Sequence, residues 1–296
     1  RIPHRSEHLK MPTKATSFKT APPEMSYLGA PFGEILGHPR ALAVSAAMTV
    51  GYLVLRFVFG RPGSKFAKDP AMGAHGFVFS TPFFYLAFKG MGLWYFDSSL
   101  STMDRLFGAH QEVASLIITM VGVQLFDVPS TLLIGGSLAS PTFIAHHVTV
   151  LWLCVMSVHY RFALHYASYF IGVIELSTPF LAFVDLFRDF PKLAASWPAT
   201  NEIVRILFAV AFFATRIIGW VPVSIHFWTD ALELVFKTGR WADTPAPIPR
   251  YVVIAWLLIH LGLTTLQWYW GWKIVKAVVA LITGDHSARQ DEAKGA

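Results

Sequence analysis

Seven apolar stretches, broken by short polar or turn-forming segments, leave this chain few folds to choose from. A stretch of about 20 apolar residues crosses a bilayer as a helix, because in lipid each backbone N–H and C=O must find its partner within the segment. The stretches cover residues 41–59, 75–95, 113–134, 142–156, 164–187, 203–223 and 251–280. The fourth is short, and the seventh is long enough to project along the interface. Between the last two, residues 224–237 (SIHFWTDALELVFK) read as an amphipathic helix lying on a membrane face. The predicted fold is all-α, a polytopic transmembrane helix bundle of about seven spans.

Composition supports lipid as the solvent. Hydrophobic residues make up 54% and charged residues 14% of the 296, against about 25% charged in a soluble domain. That excludes a soluble enzyme, a disordered chain and a disulfide-stapled module. Cys154 is the one cysteine, so there is no disulfide framework and no cysteine metal cluster. The net charge of +6 is mild and suits anionic headgroups, not nucleic acid.

The breaks carry turn chemistry: Arg61-Pro62-Gly63-Ser64, Gly135-Gly136, and Thr244-Pro245-Ala246-Pro247. Aromatics crowd the span ends at Trp94-Tyr95-Phe96, Trp197, Trp268-Tyr269-Trp270 and Trp272, as interface anchors do. Lys and Arg lie on both sides of the membrane, so charge gives no orientation. Residues 1–40 form a polar, Pro- and Lys-rich N-terminal tail, expected to be extended and to serve as a partner surface. Residues 41–74 hold the first span and its loop, 75–283 the main membrane domain, and 284–296 a polar C-terminal tail. The start at Arg1 fits a removed targeting peptide, which points to the mitochondrial inner membrane ahead of the endoplasmic reticulum.

Ionisable groups inside the spans are costly, and each needs a reason. They are Lys89, Asp127, His146, His147, Glu175, Arg205, Arg216 and His260. Lys89 and Arg205 lie near span ends and can snorkel. Asp127 can pair with a neighbouring cation, and Glu175 with Arg216. His146 and His147 point about 100° apart on a helix, so they cannot grip one metal ion side by side. One faces the interior while the other is held in orientation. A neutral imidazole there can act as general base on an amine or hydroxyl, with Glu175 in reach to orient it. The alternative is a hydrogen-bonded pair that fixes helix packing. Haem ligation by His146, His147 and His260 is permitted but unspecified. Lys273 lies too near an interface for a retinal-type site, and there is no internal repeat of the transporter kind.

Four segments in order carry a resemblance. They are Gly122-Val123-Gln124-Leu125-Phe126-Asp127-Val128, Phe143-Ile144-Ala145-His146-His147-Val148-Thr149, Ile174-Glu175-Leu176-Ser177-Thr178-Pro179-Phe180, and Leu266-Gln267-Trp268-Tyr269-Trp270-Gly271-Trp272-Lys273-Ile274-Val275-Lys276. Together they resemble the TLC-domain family, which includes the ceramide synthases, over residues 75–283. The resemblance implies a helix bundle around a lipid-accessible cavity. It would make His146 and His147 the acyl-transfer residues and place Asp127 in the same cavity. Glu175 stands alone where the synthases carry two aspartates, with Pro179 beside it, and Gln124 replaces a frequent aromatic. The chain is therefore closer to the non-synthase branch.

Two functions are expected from this. One is a lipid-binding structural or accessory subunit of a larger membrane complex, with Asp127, His147, Glu175 and Arg216 around the lipid. Its tail would grip other membrane-protein subunits. The other is an acyl-CoA-dependent lipid acyltransferase using His146, His147, Asp127 and Glu175. Neither requires a metal or a cofactor beyond a bound phospholipid or acyl-CoA.

Overall fold

In the computed structural model, which describes residues 28–95, 99–108, 111–237, 244 and 248–283, every regular element is a helix. The expectations for residues 1–27, for the tail 284–296, and for Phe96 and Pro245 to Pro247 lie outside those residues. The long helices begin where the sequence supplies a cap. Helix α2 (Pro39–Phe59) follows His38, whose ring accepts a hydrogen bond from the Arg40 backbone N–H. Asp69 Oδ1 accepts from Met72 N at 3.0 Å to open α3 (Pro70–Leu93), and Ser140 caps α6 (Pro141–Tyr160) in the same way. Proline at the first position of each has no N–H to leave unpaired.

Residues 28–40 are folded, unlike the extended tail expected there. A short helix, α1 (Phe32–Leu36), precedes α2, with Leu28, Ala30 and Ile35 buried. This segment lies across the end of α6: Gly29 N donates to Val158 O, and the Arg161 guanidinium holds Leu28 O.

Six helical runs are long and apolar enough to cross a membrane: Pro39–Phe59, Gln111–Ile134, Pro141–Tyr160, Leu164–Asp189, Pro198–Phe236 and Arg250–Ala280. The second expected span is α3, whose 24 residues are long enough. Its glycines, Ser80, Thr81, His75 and Lys89 dilute its apolar character, and ten of its residues are buried in the bundle. The fourth span, doubtful in sequence, is a full 20-residue helix.

Two runs are irregular. The fifth passes from α7 (Leu164–Ala167) through a π-helical turn (Ser168–Gly172) and a 3₁₀ turn (Val173–Ser177) into α8 (Thr178–Asp189). Its first half contributes to two cores at once. Leu164, Ala167 and Ile171 pack with α2, α3, α5 (Gln111–Ile134) and α6. Tyr166, Tyr169 and Ile174 pack with α4 (Thr102–Phe107) and the later helices. Helix α9 (Pro191–Ser196) then leads to the sixth run: α10 (Pro198–Phe212), a second π-helical turn (Phe213–Ile218) and α11 (Trp220–Phe236). Helix α12 (Arg250–Thr283) closes the chain of helices.

The sixth run corrects the reading of residues 224–237 as a surface helix. Phe227, Asp230, Ala231 and Leu234 are buried, while Ile225 and Phe236 are exposed. Asp230 faces inward because partners wait there, while His226, Thr229 and Lys237 stay exposed. Asp230 receives two bonds from Arg105 (2.6 and 2.7 Å), one from Tyr166 Oη (2.5 Å) and one from Thr102 (3.2 Å). In return, these bonds push the Arg105 pKa further above its ordinary value.

Candidate functional site

Helices α3, α5 and α6 bring three ionisable side chains together in the first core. Asp127 on α5 is fully buried, and an isolated carboxylate there would be prohibitively costly. Two histidines answer it. His75 Nε2 lies 3.0 Å from Oδ1 and His147 Nδ1 lies 2.8 Å from Oδ2. The His147 N–H is aimed at Gln124 Oε1, 3.0 Å away, with Asp127 Oδ2 as the nearest charge. Because both neighbours of Nδ1 are acceptors, Nδ1 carries the proton, and a neutral His147 keeps its lone pair on Nε2. Phe79 and Phe126 stack against the His75 ring and Phe143 packs on His147, which keeps water from the carboxylate.

Glu175 was expected within reach of one of the two imidazoles; His147 is held by Asp127 and Gln124, and Glu175 lines a cavity with His146. Gln124, the residue standing in place of an aromatic, therefore contributes directly to the site. His75 was read from sequence merely as the first residue of an apolar span. The signal that could have found it was the need of a buried Asp127 for a donor on a neighbouring helix.

Glu175 meets Arg216. The 3₁₀ turn carrying Glu175 faces the π-helical turn carrying Arg216, so both leave the regular helical path at the point of contact. Arg216 Nη2 lies 3.2 Å from Glu175 Oε2 and 3.0 Å from Thr178 Oγ1. Its Nε donates to Ser177 Oγ (2.9 Å) and Ile174 O (3.1 Å). Thr178 Oγ1 donates to Glu175 Oε2 at 2.5 Å. The Glu-x-Ser-Thr segment is thus a receptor for one guanidinium, and Tyr169 Oη donates to Thr215 O to hold the opposing turn. Lys89 pairs with Glu112 at 2.5 Å at the bundle edge, and Arg205 reaches Asn201 Oδ1.

His146 points away from this carboxylate. Its ring stands edge-on to His147 and to Trp270, with interplanar angles of 87° and 78°. It lines a narrow cavity of about 40 Å³ between α6, the irregular fifth run, α11 and α12. Val150, Leu153, Phe170, Ile171, Ile174, Trp220 and Leu263 make the wall apolar, and Glu175, Trp256, His260 and Gln267 complete it. His260 is engaged: Trp228 Nε1 donates to its Nδ1 at 3.0 Å, and Trp220 stacks on its ring. Three other lining residues hold a buried polar atom with no protein partner, namely His146 Nδ1, Trp256 Nε1 and Gln267 Oε1. Sequence reading passed over Trp256, which looks like an ordinary member of an aromatic helix, and met Gln267 only as part of the fourth resembling segment, with no site role.

The site residues thus divide into two groups. Asp127 and His147 join His75 and Gln124 in a closed cluster, while His146 and Glu175 face the cavity. Among the described residues no group of side chains is arranged to hold a metal ion.

No curated protein and no solved structure matches the chain. The family model of the TLC domain matches residues 46–276, from the middle of α2 to the last turns of α12. That match covers more than half of the sequence, and with its apolar helices the chain is a multi-pass integral membrane protein that belongs to the TLC-domain family.

Proposed function

We propose that this protein binds a membrane lipid at the cavity between α6 and α12, whose small volume takes a polar group of the lipid and not the whole molecule, and serves a larger membrane assembly as a lipid-binding subunit. The carrying observation is the set of partnerless atoms, His146 Nδ1, Trp256 Nε1 and Gln267 Oε1, on residues lining a cavity whose other polar members, Glu175 and His260, are already engaged. A buried polar atom left unpaired costs about 1–3 kcal/mol, so three around one space call for a polar ligand group. The lipid test is extraction of the purified protein followed by mass spectrometry. A lipid at fixed stoichiometry is expected, lost on combining Trp256→Phe with Gln267→Leu; equal lipid content in the two proteins would refute the site. The assembly is tested by mild solubilisation, where migration as a lone chain would refute that role.

A second reading is favoured by the Asp127–His147 geometry. With Nδ1 held, Nε2 of His147 is a fixed base of the kind acyl transfer needs. In an acyl-CoA-dependent reaction it would take the proton from an attacking amine as the C–N bond forms and the thioester C–S bond breaks. That proton would then pass to the departing thiolate. Purified protein given acyl-CoAs and long-chain amines tests this; His147→Ala should abolish turnover, and no turnover by the wild type with any pair sinks the enzyme.

A further inference from the structure

The end of α2 gathers positive charge on the outside of the bundle. Arg56, Arg61, Lys65 and Lys68 are all exposed. Asp69 is the one acid between Glu34 and Asp97, and its Oδ1 is engaged in capping α3. Among the described residues no carboxylate forms an ion pair with any of the four cations. Between them the surface folds into a shallow groove of about 540 Å³, lined by Leu53, Arg56, Phe57, Gly60, Arg61 and Pro62.

Both arginines are set by aromatic neighbours. The Arg61 guanidinium carbon lies 5.2 Å from the Phe57 ring centre, and that of Arg56 lies 6.0 Å from the Tyr52 ring centre. Contact with Phe57 occupies one face of the Arg61 guanidinium and leaves N–H donors at its edge, the arrangement that suits phosphate oxygens, while Arg56 Nη1 reaches Tyr52 Oη at 3.5 Å and its other donors are left for a ligand. Beside the charges runs an apolar track: Leu53 is 55% and Phe57 70% exposed. Helix α2 is also the least buried of the six membrane-crossing runs, so this flank faces lipid, and its end lies at headgroup level.

We propose that this groove binds an anionic phospholipid, with Arg56 and Arg61 on the phosphate and an acyl chain along Leu53 and Phe57. The cations alone would suit any phosphate; the exposed apolar track beside them selects a lipid. Lys65 and Lys68 add long-range attraction to a negatively charged leaflet. This site is separate from the cavity beside His146 and does not depend on what that cavity holds.

The test is native mass spectrometry of the full chain in detergent, titrated with palmitoyl-oleoyl-phosphatidylglycerol, the matching phosphatidylcholine, and inorganic phosphate. One phosphatidylglycerol per chain is expected to bind in preference to phosphatidylcholine. Arg56→Gln and Arg61→Gln should each weaken it roughly tenfold, while Lys237→Gln, in a Lys237–Glu233 pair elsewhere, should leave it unchanged. Both arginines are exposed, so unaltered melting will show that the variants fold. Equal affinity for the two lipids, undiminished binding in the double variant, or displacement by inorganic phosphate at comparable concentration would overturn the site.

Discussion

Nδ1 of His147 sits 2.8 Å from Oδ2 of Asp127, and the other carboxylate oxygen is taken by His75 at 3.0 Å. One buried anion therefore links α3, α5 and α6. Removing it leaves His75 without its acceptor and His147, still bonded to Gln124 Oε1, without its neighbouring anion. Asp127→Ala is expected to destabilise the protein by about 3–5 kcal/mol, read as a lower melting temperature in detergent. Asp127→Asn keeps one acceptor oxygen and should cost less, about 1–3 kcal/mol. Wild-type melting in the alanine variant would show that the carboxylate does not hold the helices.

Glu175 and Arg216 behave differently because their pair has a neutral replacement. Glu175→Gln leaves a buried guanidinium without its counter-charge, although Ser177, Thr178 and Ile174 O still accept from it. A fall in stability of about 1–3 kcal/mol is expected. Replacing both partners, Glu175→Leu with Arg216→Leu, should recover most of that loss, because well-packed apolar residues often equal or exceed a buried ion pair. Thermal melting of the wild type, single and double variants forms the test. A double variant less stable than Glu175→Gln would mean that the polar network specifies the two irregular turns.

The long helices were legible because apolar length and turn chemistry are local properties. So was the likelihood of a Glu175–Arg216 meeting, since few charges occur inside the spans. The partners of His147 were not legible, because which of several polar groups meets it depends on helix rotation and crossing, which periodicity does not encode. Residues 224–237 misled for a related reason. An amphipathic stripe says that one face differs from the other; whether its polar face meets water or Arg105, Tyr166 and Thr102 is decided by tertiary packing. The π-helical turns left no local signal, although one carries Arg216 and the other carries Tyr169, whose Oη donates to Thr215 O.

Close backbone contact gives another prediction. A Cβ placed on Gly90 would fall 2.5 Å from the Gly172 Cα, so α3 and the fifth run touch main chain to main chain. Gly90→Ala should therefore destabilise by about 1–3 kcal/mol through overpacking. Gly92, two residues on, has open space at the same position. Gly92→Ala should be neutral or mildly stabilising, since alanine is the better helix former. Equal melting of the two variants would contradict the close approach.

The docking of residues 28–36 is held by polar contacts that can be removed one at a time. Arg161 donates to Leu28 O through Nε at 3.0 Å and Nη2 at 2.6 Å, and His159 Nδ1 donates to Ala30 O at 2.8 Å. Phe32 meets the His159 ring edge-on at 4.5 Å. Arg161 itself has φ of 53°, a left-handed conformation that glycine adopts without strain. Arg161→Gly therefore keeps the turn that ends α6 while deleting the bonds to Leu28, separating backbone from side chain. The expected result is faster cleavage between residues 28 and 40 in limited proteolysis, with the melting of the bundle little changed. His159→Ala should act in the same direction, because it removes both a donor and the surface under Phe32. If Arg161→Gly is cut no faster than the wild type, burial of Leu28 and Ile35 alone holds the segment down.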